Sequence, residues 1–287
     1  MFLYLTENMI LLAIVDQNLR LLLSIPLTLT VFIVPSLLYR HKTGYTPFVS
    51  DLFPEANSQG NTADSAHRND QKTKTILLFI FALCLTVTAV NIFGILSDSI
   101  FSILGYERVQ AALPESKLVL AASFIRSVII AAFCEEILFR GAVLNAFGDT
   151  DKLKTIFVSA VLFALMHYNI TQTLYAFAAG LIIAFFALKT RSLTFALLLH
   201  IGSNLITFIF TVLQSLLPVE KYQKISLISA FCFALISIVG LVIKIIRFKR
   251  PEKEIKKPRE NIAVSLGPEL VVYAILALVL SMLNITQ

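Results

Sequence analysis

Eight runs of apolar residues, most of them long enough to cross a bilayer, constrain this chain more than any other feature. A hydrocarbon core about 30 Å thick takes about 20 helical residues. The runs cover roughly residues 19–39, 75–96, 118–147, 155–168, 171–188, 193–217, 225–246 and 268–283, and the fourth is short by itself. Backbone groups in lipid must find partners within the protein, and ten-residue segments of alternating polarity are absent, so the runs predict helices and not a barrel. The fold class expected is all-α: a polytopic membrane protein of about eight transmembrane helices. Of the 287 residues, 57% are hydrophobic and 15% charged, where soluble domains average about 45–50% and about 25%. That excludes a soluble enzyme.

The net charge of +6 is not the footprint of a nucleic-acid binder, because the basic residues sit in short clusters between the apolar runs. Lys and Arg accumulate on the cytoplasmic side of membrane proteins. The loops after the first, third, fifth and seventh runs hold 18 of the 24 Lys and Arg, and the opposite side holds five. Both termini are therefore expected outside. The N-terminus does not read as a secretory signal, since its first charge is Glu7 and the apolar stretch after it ends at Asp16 without a basic leader.

Three regions follow. Residues 1–117 form a two-helix region with a polar cytoplasmic loop at about 40–74, rich in turn and disorder formers. Residues 118–217 form the helical core. Residues 218–287 form a second two-helix region whose basic loop reads mainly as a topology anchor, attractive to anionic lipid. Cys84, Cys134 and Cys232 all fall inside apolar runs and read as buried, reduced small hydrophobes.

Charged groups at the centre of a membrane helix cost about 2.5–3.5 kcal/mol on insertion scales, so those present need a reason. They concentrate in three runs, as Cys134-Glu135-Glu136-x-x-x-Arg140, Phe163-x-x-x-His167 and His200-x-x-x-Asn204. Glu136 and Arg140 have the spacing and order of a favourable helical ion pair, which predicts a structural role for both. Glu135 points roughly 100° away around the helix and has no local partner. An unpaired buried carboxylate suits a general acid or base. His200 and Asn204, one turn apart, can face one cavity.

Depth brings these groups together. Glu135 lies 13 residues before Gly148, a plausible end of the third run, and His167 lies 13 residues after Lys154, near the start of the fourth. Both are then about 20 Å from the same end of the hairpin. His200 and Asn204 are 9 and 13 residues beyond Arg191, in the same layer. Arg126, 22 residues from Gly148, falls about 33 Å up, where it would snorkel among the outer headgroups. A carboxylate, two imidazoles and a carboxamide in one layer can deprotonate a water and stabilise an oxyanion. They can equally hold a divalent metal such as zinc, with Glu135, His167 and His200 as ligands. The residues alone leave both chemistries open.

The three motifs, in this order on successive membrane helices, resemble the signature of the CPBP (Abi) family of intramembrane endopeptidases, which includes the type II CAAX-prenyl proteases. The resemblance covers residues 118–217, about a third of the chain. It implies Glu135 as the water-activating base, His167 as its partner, and His200 with Asn204 as water, metal or oxyanion contacts, with Glu136 and Arg140 supporting. Other intramembrane proteases fit poorly: the H-E-x-x-H of a zinc enzyme is missing, Gly202-Ser203-Asn204 lacks the flanking glycine of a rhomboid serine, and no pair of Asp residues lies at depth.

The expected function is that of a multi-pass intramembrane endopeptidase, in the cell membrane if bacterial, acting on a membrane-associated peptide or protein through a Glu/His-activated water. The competing expectation is a non-catalytic accessory or bacteriocin-immunity protein that binds a peptide or sensor in the same cavity. Membrane lipid and a peptide or protein substrate are the partners expected, and nucleic acid is not. The oligomeric state stays open.

Overall fold

The computed structural model of the chain describes residues 16–44, 62–105, 113–114, 116–146, 152–167 and 169–247. Regular structure among them is entirely helical: α1 (Gln17–Thr43), α2 (Thr62–Ile103), α3 (Lys117–Ala146), α4 (Lys152–Leu165), α5 (Ile170–Thr190), α6 (Leu193–Leu216) and α7 (Val219–Arg247). Six stretches are long and apolar enough to cross a membrane: Leu19–Thr43, Lys72–Ile103, Lys117–Ala146, Ile170–Thr190, Leu193–Leu216 and Val219–Ile245. The chain is a multi-pass integral membrane protein.

Six such stretches are found among the described residues, and the expected count of about eight is not confirmed. The expected span at 155–168 is α4, whose 14 residues reach only about 21 Å at helical rise, short of the hydrocarbon thickness. It stops early for a local reason. The Asn169 side chain accepts hydrogen bonds from the amides of Thr171 (3.0 Å) and Gln172 (3.3 Å), capping α5. The chain therefore turns back through Met166 and His167 directly after α4. The expected span at 268–283, and with it the placement of both termini, lies outside the described residues. Residues 62–74, expected in the polar loop, instead begin α2. They contain neither Gly nor Pro, so a helix anchored by the apolar span propagates back through them.

Helix α5 sits at the centre. Ile183, Ala184 and Phe186 are fully or almost fully buried and pack with Phe81 and Ala82 of α2 and Ala196 and Leu199 of α6. A second cluster joins Val31 and Phe32 of α1 to Cys134 and Phe139 of α3 and Phe163 of α4. Cys84 and Cys134 are buried as expected, whereas Cys232 is exposed. Its position inside an apolar run does not bury it, because much of α7 presents apolar side chains outward, among them Leu227, Ile228 and Phe231.

Close backbone approach is what lets α4 and α5 frame a site. A Cβ on Gly180 would lie 3.2 Å from Ala160 Cα and 3.1 Å from the Phe163 ring, the small-residue contact by which membrane helices pack. Gly180→Val is expected to force these helices apart at a cost of about 1–3 kcal/mol. A lowered thermal transition of the purified protein would register it, and an unchanged transition would contradict the contact.

Candidate active site

Helix α3 is irregular where it carries the carboxylates. Wide π turns at Ile125–Ile130 and Ile137–Val143 flank the α-helical stretch Ala131–Glu136. Such turns are rare, occur mostly as bulges inside α-helices, and are frequent at functional sites. Nothing in the apolar periodicity of the sequence marks them.

The expected Glu136–Arg140 pair forms, with Oε1 2.9 Å from Nη1, and both side chains are 1% exposed. It has a third member that the spacing did not reveal. The same Oε1 accepts a 2.7 Å hydrogen bond from Nδ1 of His200. Arg140 also donates through Nη2 to the Gly180 carbonyl at 3.2 Å, and its guanidinium stands 4.8 Å from the centre of the Phe163 ring, within range of a cation–π contact. Thus Glu136 orients His200, and Arg140 ties that carboxylate to the backbone of α5.

Protonation follows from the partners. A carboxylate held by a guanidinium accepts, so Nδ1 of His200 donates and Nε2 faces Glu135. The Glu135 Oε2 lies 3.8 Å from that Nε2, too far for a direct hydrogen bond. Glu135 is 17% exposed and opens to the cavity. With Glu135 and Glu136 ionised, Arg140 charged and His200 neutral, the cluster carries one formal negative charge.

His167 ends α4, with Nδ1 2.9 Å from the Phe163 carbonyl. A carbonyl only accepts, so Nδ1 carries the hydrogen and Nε2 keeps its lone pair. The buried Phe163 ring stacks edge-on against both imidazoles, 5.0 Å from His167 and 5.6 Å from His200. It fixes the two rings relative to one another. Asn204 donates from Nδ2 to the Ser127 carbonyl on the first π turn, at 3.0 Å. One of its two amide hydrogens is therefore engaged by backbone.

All four groups line one cavity of about 500 Å³: Glu135 from α3, His167 at the end of α4, and His200 and Asn204 from α6. The common depth expected of them is realised as a shared space. An adjoining cavity of about 380 Å³ shares His167, His200 and Asn204 and extends to Asp98 and Tyr175. Arg126, expected by depth near the outer headgroups, lines the larger cavity, and Asp98 lines the smaller one. Helical rise locates a residue along an axis, while the direction of its side chain is set by which face the neighbouring helices cover and by the widened turn that carries Arg126.

The donor set bears on the metal alternative. The Nδ1-to-acceptor bonds of His167 and His200 are those that orient metal-binding imidazoles. Yet among the described residues no three His, Cys, Asp or Glu side chains are gathered closely enough to hold an ion. Glu135, His167 and His200 share a cavity without forming such a group.

Comparison with known proteins bears out the resemblance read from the motifs. Residues 117–206, about a third of the chain, match the family model described as type II CAAX prenyl endopeptidase Rce1-like. Neither the curated proteins nor the solved structures contain a match to the chain.

Proposed function

We propose, taking the type II CAAX prenyl endopeptidase-like segment at residues 117–206 as the premise, that the protein is an intramembrane endopeptidase in which Glu135 activates a water. The observation that carries this reading is the chain Arg140, Glu136, His200, Glu135. It presents one carboxylate to a cavity and keeps the other to orient an imidazole. His200 and Glu136 are largely withdrawn from solvent, so the charges that orient the imidazole act there with reduced screening.

In this mechanism Glu135 takes a proton from a water that His167 Nε2 also holds, and the hydroxide oxygen bonds to the scissile carbonyl carbon. The carbonyl electron pair moves to its oxygen. The free amide hydrogen of Asn204 stabilises that oxyanion, with His200 held beside it by Glu136. When the oxyanion collapses, the C–N bond breaks and Glu135 returns its proton to the departing amine. Glu136 and Arg140 touch neither water nor substrate and act as positioning residues.

The test is hydrolysis of a membrane-peptide library by the purified protein in lipid nanodiscs. Cleavage is expected to persist after Cys134→Ala, since that thiol is fully buried in the core and takes no part. It is also expected to persist after dialysis against a strong chelator. Asn204→Ala is expected to lower kcat by about 100-fold, the smaller end for an oxyanion donor, because one amide hydrogen is already committed to Ser127. Tight binding of peptides with no cleavage by the intact protein would favour the accessory-protein reading instead.

A further inference from the structure

Lys189 and Lys244 meet at one end of the helical bundle. Lys189 is the penultimate residue of α5, and Lys244 lies in the last turn of the α7 span, which ends at Ile245. Lysines near helix ends usually snorkel out of the apolar layer into the headgroups. Lys244 leans onto aromatic rings instead. Its ammonium lies 4.9 Å from the centre of the Phe81 ring of α2, and 5.8 and 5.2 Å from those of Phe185 and Phe186 of α5, all within cation–π range. Gly240, one turn earlier, permits this placement, because a Cβ there would overlap the Phe81 ring. Lys189 Nζ stands 5.9 Å from the centre of the same Phe185 ring, and its amine is close enough to that of Lys244 for a hydrogen bond. Like charges this close repel. Among the described residues neither lysine has a carboxylate partner, so an anion is what would complete the pair.

We infer that Lys189 and Lys244 bind the phosphate of an anionic phospholipid, which bridges α5 and α7. The pair lies at the ends of two spans, where headgroups begin, and apolar surface for acyl chains continues from it. Phe185 is 44% exposed, and Leu241, Val242 and Ile245 of α7 also face outward. Basic pockets between membrane helices take anionic headgroups in this way. An ammonium is a point charge without the planar fork of a guanidinium, so the pair selects by net charge more than by headgroup shape. The pair also lies on the side of the chain where Lys and Arg accumulate, the side expected to face the anionic cytoplasmic leaflet. Neither lysine lines the cavities around Glu135 and His200, so the test does not depend on proteolysis.

The experiment is native mass spectrometry of the full chain in detergent, titrated with phosphatidylglycerol or with phosphatidylcholine of identical acyl chains. Phosphatidylglycerol is expected to bind roughly tenfold more tightly, as two lysines at the membrane surface allow. Lys189→Gln/Lys244→Gln should erase that preference, and Lys189→Arg/Lys244→Arg should keep most of it. Lys221→Gln/Lys224→Gln removes the same charge from the exposed start of α7 and should leave the preference intact. Soluble glycerol phosphate should compete only weakly, since it has no acyl chains to bury. Equal affinity of the intact protein for the two lipids overturns the inference, as does a preference that survives Lys189→Gln/Lys244→Gln. A preference lost equally in the Lys221 and Lys224 variant also overturns it, because net charge would then be the cause. Glycerol phosphate that displaces the lipid at equal concentration would assign the pair to a water-soluble phosphate and overturn the lipid reading. If the double Gln variant does not fold, Lys189→Gln alone decides, because that side chain is exposed: loss of most of the preference supports the site, and full retention overturns it.

Discussion

Glu135→Gln is expected to abolish peptide hydrolysis while leaving the folded protein at wild-type abundance. The substitution preserves shape, and Glu135 makes no direct hydrogen bond to His200 that would be lost, at 3.8 Å. An amide cannot take a proton from water, so the reaction loses its base and, on collapse, its acid. His167→Ala and His200→Ala are expected to be nearly as complete. Groups that act as a unit lose activity non-additively, so the triple variant should be scarcely worse than any single one. Single-turnover rates for the four variants provide the measurement. Glu135→Gln protein that folds normally and still cuts peptide would remove the proposed mechanism, and three independent losses that multiply would mean that the groups do not act together.

The second large effect is expected on folding. Glu136 is 1% exposed and meets Arg140 and His200 together. Removing one partner of a buried ion pair leaves an uncompensated charge and costs about 3–5 kcal/mol. Glu136→Leu or Arg140→Leu alone should therefore sharply reduce the amount of folded, detergent-stable protein. The double variant Glu136→Leu/Arg140→Leu removes both charges and should recover much of that loss, since an apolar pair is often as stable as the ion pair it replaces. Activity should not recover with it, because Nδ1 of His200 would still lack its acceptor. Size-exclusion profiles and thermal transitions read the first effect, and turnover per folded molecule reads the second. Single variants that fold normally would show the pair to be dispensable, and a double variant with full activity would show that Glu136 does not orient His200.

Much of the architecture was legible in the chain because lipid imposes a one-dimensional rule. A helix that crosses it must be apolar for about 20 residues, and six of the eight expected runs are spans of that kind. The rule misjudged α4 because apolar composition does not say where a helix stops. Asn169 ends the hairpin early, and a 14-residue helix survives because Gly180 lets it lie against α5. The same limit applies to Cys232, whose apolar neighbours face outward on α7.

The three polar motifs and the Glu136–Arg140 pair were readable from residue type and from the 3.6-residue period, which are local properties of the sequence. That Glu135, His167, His200 and Asn204 occupy one layer also followed from helical rise. What only the tertiary structure decided is which atoms face which. The Glu136 carboxylate holds His200, Asn204 gives one hydrogen to Ser127, and Arg126 turns into the cavity. These contacts join helices separated by tens of residues, and their directions depend on two π turns in α3 that shift side-chain phase without altering the hydrophobic pattern. A sequence records the spacing along each helix, whereas the angle at which helices meet is set by the packing of all of them at once.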